Sequence, residues 1–186
     1  IDPTNANVVY AGMYTHRRWA WYFTSGGGET ALYKSADGGT TWTPLSGPDQ
    51  ARGLPKKDMD RIGVAVARSN PSIVYAISET KDEGELWRTD DAGATWRMVS
   101  RDPNINFRPF YYADIRVDPQ HPNTVYALAG SLYKSEDGGR NFARIGNATH
   151  GDHQAMWIDP TNPNRVLLGD DGGFQISYDA GKTFDI

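Results

Sequence analysis

One pattern, Ser/Thr-x-Asp-x-Gly-x-x-aromatic, recurs four times along the chain and constrains its fold more than any other feature. The copies are Ser35–Trp42, Thr89–Trp96, Ser135–Phe142 and Ser177–Phe184. A pattern that returns every ~40–50 residues marks a propeller, a solenoid or another array of like units. A second pattern precedes each copy. Residues 1–11, 66–76, 117–127 and 158–168 align without gaps, each as an apolar strand end, an Asn/Pro turn and a β-branched strand. One unit therefore reads as strand 113–117, turn, strand 124–128, loop, strand 131–134, aspartate turn, strand 142–145. Four antiparallel strands in about 45 residues describe a propeller blade. No stretch keeps a 3.6-residue apolar period, and the 20 Gly and 11 Pro interrupt the chain too often for long helices. The sequence predicts an all-β protein, a β-propeller of four-stranded antiparallel blades. About four blades are expected, over 1–47, 60–100, 111–146 and 153–186, in one propeller segment covering 1–186.

The loops carry the second message. The turn between the first two strands has one length in all four units, and so does the aspartate turn. The other two connections vary, from the long Tyr10-to-Leu32 stretch to the short Tyr126-to-Leu132 one. In an up-and-down blade the constant turns share one end and the variable loops the other, so binding chemistry is expected at the variable end. Asp37, Asp91, Asp137 and Asp179 are expected to be scaffold. Their carboxylates would accept backbone N–H groups within the turn, and the glycines would take positive φ. Trp42, Trp96, Phe142 and Phe184 are expected in the core between blades.

The repeated motif resembles the Asp-box, or BNR repeat, of sialidase-type propellers. The segments Arg61–Val66, Arg108–Tyr112, His150–His153 and Gly169–Gly173 resemble bacterial exported propellers of the glycosyl-hydrolase-like and sortilin (Vps10)-like kind. That resemblance implies an extracellular or periplasmic location. It implies either polysaccharide binding, with hydrolysis by two carboxylates, or non-catalytic recognition of a peptide or glycan. Propellers of this type have more than four blades, so the chain is expected to form an incomplete arc whose partners include the remaining blades. A sialidase is disfavoured, because that chemistry uses an arginine triad and the Arg-Ile-Pro start is absent.

Four segments are expected at the variable end. Residues 13–30 hold Arg17, Arg18, Trp19 and Trp21, which read either as a packed hairpin or as a stacking platform for sugar rings or a peptide carboxylate. Residues 102–112 hold Arg108, Tyr111 and Tyr112, the tyrosines opening the innermost strand. Residues 149–154 supply His150, Asp152 and His153. Residues 170–173 supply Asp170. Asp152 and Asp170 are the candidate catalytic pair, since a glycosidase needs two carboxyls roughly 5–10 Å apart. The formal net charge of −4 gives no nucleic-acid footprint. No apolar run reaches the ~20 residues of a membrane span. With no cysteine and no metal-ligand spacing, neither metal nor cofactor is expected. The chain opens on Ile1-Asp2-Pro3 within a repeat, so the natural N-terminus is expected to lie elsewhere.

Overall fold

The computed structural model describes residues 1–47, 49–50, 52–56, 59–80, 84–112 and 114–185. Ala113 and Ile186, which the sequence pattern puts in strands, lie outside them. Strand β1 (Val9–Met13) is followed by a hairpin, β2 (His16–Arg18) and β3 (Phe23–Ser25), and then by β4 (Ala31–Ser35) and β5 (Thr43–Pro44). The first sheet has the order β1-β4-β5, with the hairpin as a separate two-stranded unit. The second sheet runs β6 (Gly63–Val66), β7 (Val74–Thr80), β8 (Gly84–Thr89) and β9 (Arg97–Ser100). A 3-10 turn over Pro103–Asn106 leads to the third, β10 (Asp114–Val117), β11 (Val125–Leu128), β12 (Leu132–Ser135) and β13 (Ala143–Ile145). The fourth is β14 (Ala155–Ile158), β15 (Val166–Asp170) and β16 (Gly173–Ser177), continued by a bridge from Ile176 to Asp185. All pairings are antiparallel.

Alternation along the strands sends successive side chains to opposite faces, so each sheet can bury both. The three cores lie between consecutive sheets. Tyr10, Leu32 and Leu45 meet Val74, Ala76, Trp87 and Trp96. Tyr75, Ile77 and Leu86 meet Ile115, Val125 and Ala127. Tyr126, Leu128 and Leu132 meet Met156, Ile158, Val166 and Leu168. The second-strand tyrosines add a polar fastening: the Tyr10 hydroxyl donates to Ala92 O at 2.8 Å and the Tyr126 hydroxyl to Ala180 O at 3.2 Å, both in the next sheet's aspartate turn.

The aspartate turns are built alike. In the first, Asp37 Oδ1 accepts the Ser35 hydroxyl (2.7 Å) and Thr41 N–H (2.8 Å), while Oδ2 accepts the Thr41 hydroxyl (2.6 Å). Asp91 and Asp179 repeat this with Thr95 and Thr183. At Asp137 the Asn141 amide replaces the threonine hydroxyl at 2.7 Å. The residue after each aspartate is left-handed, including Ala92 (φ 55) and Ala180 (φ 60), where alanine occupies a glycine-favouring position. A single N–H from each turn reaches the constant turn of its own sheet: Gly38 to Asn7 O, Ala92 to Ser72 O, Gly138 to Asn123 O and Ala180 to Asn164 O, at 2.8–2.9 Å. Both sets of constant turns therefore sit at one end.

Two expectations are corrected. Trp42 is not a core residue. It is 41 % exposed, against 6 % for Trp96, and its indole N–H caps Gly39 O at 2.9 Å in its own turn. Each aspartate turn packs on the preceding sheet, as Gly93 does against Tyr10 and Leu45, and the first turn has no preceding sheet among the described residues. Tyr111 and Tyr112 do not open a strand. Their N–H groups bond Arg108 O (2.9 and 3.3 Å), closing a turn ahead of β10, with Arg108 itself left-handed at φ 60.

Candidate functional site

The hairpin β2–β3 is held to the main body by polar contacts at its base. The Ser25 hydroxyl bonds both the Asp60 carboxylate and the Tyr14 hydroxyl, the latter at 2.7 Å. Its outer surface is aromatic and basic. Trp19 stacks on Tyr22 (5.8 Å between centroids, 26° between planes), and the Arg17 guanidinium lies 5.3 Å from the Trp19 ring. Arg18 is exposed, and Trp21 is 84 % exposed.

A run of rings crosses from this hairpin to the loop over 102–112. Tyr14 stacks on His16 at 5.4 Å, His16 meets Phe23 at 5.9 Å, and Phe23 meets Phe110 at 5.2 Å. The run continues through Tyr111 (5.0 Å) to Tyr112 (6.1 Å). The Arg108 guanidinium lies over Tyr111 (4.8 Å) and Phe110 (5.7 Å), and Arg61 donates to Tyr111 O at 2.7 Å. Neither Phe23 nor Phe110 stands out singly in the sequence. Their signal is that two separate variable loops are both rich in aromatics.

The run ends at Asp152. Tyr112 is buried, and burial together with a hydrogen bond to the Asp152 carboxylate pushes its phenol up to about 12. Asp152 is left-handed (φ 65), and its N–H approaches Gly130 O at 3.4 Å. His153, expected to meet ligand, is instead 2 % exposed. Its Nδ1 faces Ala129 O at 3.1 Å and its Nε2 faces the Thr149 hydroxyl at 3.0 Å. Burial lowers its pKa; the Ala129 bond and the nearby Asp170 and Asp152 charges oppose that. His153 and Tyr112 thus stand behind the surface and support it. His150 remains exposed and packs against Gly172. The Asp152 and Asp170 segments adjoin, since Gln154 N–H bonds Gly169 O at 2.9 Å. Asp170 is fully engaged: Oδ1 accepts the Gly172 and Gly173 N–H groups (2.9 and 3.1 Å), and Oδ2 accepts the Gln175 amide (2.7 Å). Among the described residues no three His, Cys, Asp or Glu side chains form a metal-binding group, and no helix is long and apolar enough to cross a membrane.

Glu85, at the start of β8, carries a perturbation that a lone glutamate in a strand does not announce. Burial pushes its pKa up to about 7, against the Asn106 amide that bonds it at 3.0 Å; Glu79 and Asp102 add to the rise. The buried Asn106 Oδ1 has no partner among the described residues. Between the ordinary carboxylate value and about 7, the folded state binds the extra proton, so stability falls as pH rises through that window. Glu85→Gln is expected to flatten this slope and to supply a donor for Asn106 Oδ1. Thermal melts at about pH 8 should rise by roughly 2–4 °C for each kcal/mol recovered. An unchanged pH profile would remove Glu85 as its source.

Successive antiparallel sheets, each packed face to face on the next with constant turns at one end and variable loops at the other, define a β-propeller. Its likeness to known proteins is consistent and narrow. No protein-family profile matches the chain. Among curated proteins it is 25 % identical over 198 residues to a probable oligoxyloglucan-reducing end-specific xyloglucanase of Neosartorya fischeri, covering 96 % of this chain and 22 % of that protein. It is 27 % identical over 201 residues to xyloglucanase Xgh74A of Acetivibrio thermocellus, covering 95 % and 22 %. The chain thus spans less than a quarter of the length of these relatives. Among solved structures, a GH74 enzyme of Niastella koreensis superposes with a TM-score of 0.66 at 16 % identity, covering 100 % of this chain and 28 % of that one. YCF48 bound to D1 peptide superposes with a TM-score of 0.56 at 14 % identity, covering 96 % and 57 %. At these identities the structural matches establish the fold alone.

Proposed function

We propose that this chain is a segment of an exported propeller, with blades over 1–47, 60–100, 111–146 and 153–186 fastened by Asp-box repeats, that binds polysaccharide at its variable-loop end and hydrolyses it there. The observation that carries this reading is the run of rings ending in Tyr112 against Asp152, with the Asp170 segment alongside. Exposed aromatic faces take the apolar faces of sugars, and a carboxylate pair at the end of such a track is where a glycosidic bond would be cut. The sequence relatives named above are xyloglucanases, which favours a glycan over the sortilin-type alternative. Of the two carboxylates, we assign proton transfer to Asp152, whose side chain has no bonded partner but Tyr112 among the described residues. Asp170, held by three N–H donors, supplies a charge in fixed orientation. Asp152→Asn and Asp170→Asn are expected to lower polysaccharide hydrolysis about 10²–10⁴-fold with binding retained. Unchanged hydrolysis in both variants would remove the catalytic part and leave the binding part.

A further inference from the structure

Four arginines of the sheets and their turns are ion-paired. Arg88 and Arg97 share Asp90, Arg116 meets Asp114, and Arg165 meets Asp159. Arg17, Arg18 and Arg108, all on the hairpin and the 102–112 loop, are not among them: in the described residues none has a carboxylate partner. Acids are not scarce, since Asp and Glu number 23 against 19 Lys and Arg. Two of these three guanidiniums instead lie over aromatic rings, Arg17 on the hairpin and Arg108 on the loop over 102–112. The two elements join where Phe23 meets Phe110. A ring beneath a guanidinium orients its plane but leaves its in-plane N–H donors unsatisfied. Such a fork matches a carboxylate bidentately, and a guanidinium sheds water more readily than an ammonium does.

We propose that the seam between the hairpin and the 102–112 loop selects an anionic polysaccharide of the polyuronate type, its carboxylates meeting Arg108 and Arg17 and its ring faces lying on Tyr111 and Trp19. The proposal rests on the glycan-binding reading above and adds charge selectivity to it. An acidic peptide would satisfy the arginines. It would leave the exposed flat stack of Trp19 on Tyr22 with no matching ring face, which a pyranose supplies.

The test compares the protein's binding to polygalacturonate, to the same polymer fully methyl-esterified, and to polyglutamate, by calorimetry or affinity electrophoresis. Esterification removes the charge and keeps the sugar backbone. The expected result is binding of polygalacturonate that weakens about tenfold on esterification, as loss of a charge-assisted hydrogen bond predicts. A similar loss is expected at ~1 M salt, where screening reaches only about 3 Å. Arg108→Gln and Arg17→Gln, on separate elements, should each reproduce the loss for the acid polymer and weaken the esterified one by much less. Tyr111→Ala should weaken both polymers. Equal affinity for acid and esterified polymers would overturn the charge selectivity and leave the glycan reading standing. Polyglutamate bound while neither sugar polymer binds would overturn both.

Discussion

Trp96→Ala is expected to destabilise the protein by about 3–5 kcal/mol, as removal of a large buried aromatic does, while Trp42→Ala should cost less than half as much. The two residues close the same motif in consecutive sheets. Trp96 is 6 % exposed and packs into the core with Tyr10, Leu32 and Leu45 of the preceding sheet. Trp42 is 41 % exposed and rests on its own turn. Urea melts of the two variants measure the difference directly, and its size reports how far a propeller turn depends on the sheet before it. Equal losses would mean that the tryptophan stabilises through its local turn, and the packing account would then be wrong.

Asp137→Ala is expected to cost about 2 kcal/mol, the range for removing a charged acceptor that holds a turn or cap. Asp137 accepts the Ser135 hydroxyl, the Arg140 and Asn141 N–H groups and the Asn141 amide, at 2.7–3.0 Å. Burial works against its charge, but the Asn141 N–H and amide and the Ser135 hydroxyl prevail and hold the carboxyl at about 2. Asp37 and Asp91 are held at about 2 mainly by side-chain bonds, to Thr41 and to Thr89 and Thr95, and Asp179 mainly by the Thr183 N–H. For groups lowered on folding, the contribution is complete above the ordinary value of 3.8 and disappears as pH falls towards 2. Four such turns should therefore act together in acid. The wild type should lose stability steeply between about pH 4 and 2, and Asp137→Asn should show a shallower loss from a lower starting point. A slope unchanged by that substitution would show the turns to be acid-insensitive.

The positions of β10, β11, β12 and β13 fall within a residue or two of where the repeat puts them, because strand and turn chemistry act over neighbouring residues. Of the two readings of the aromatics over 13–30, the hairpin is present at 16–25, and its rings remain partly exposed. The ring run was not legible. Phe23 and Phe110 are far apart in sequence, and nothing local to either specifies the other. His153 and Tyr112 misled for a related reason. Residue type marks them as able to meet a ligand, but their direction is set by Ala129, Thr149 and Asp152, which the fold brings to them. Glu85 gave no sign at all, since its shift comes from burial and from Glu79 and Asp102 on other segments.

By itself the sequence determined the all-β repeat, the turn in which each aspartate is satisfied, and the end of the sheets where variation gathers. Those follow from hydrogen bonds and backbone angles that reach no further than a few residues. Only the tertiary structure decided which members of the repeated motif are buried, that the hairpin and the 102–112 loop share one aromatic seam, and that its arginines meet no carboxylate among the described residues. These depend on which sheet lies beside which, and a repeat that writes the same turn four times does not encode what each copy will face.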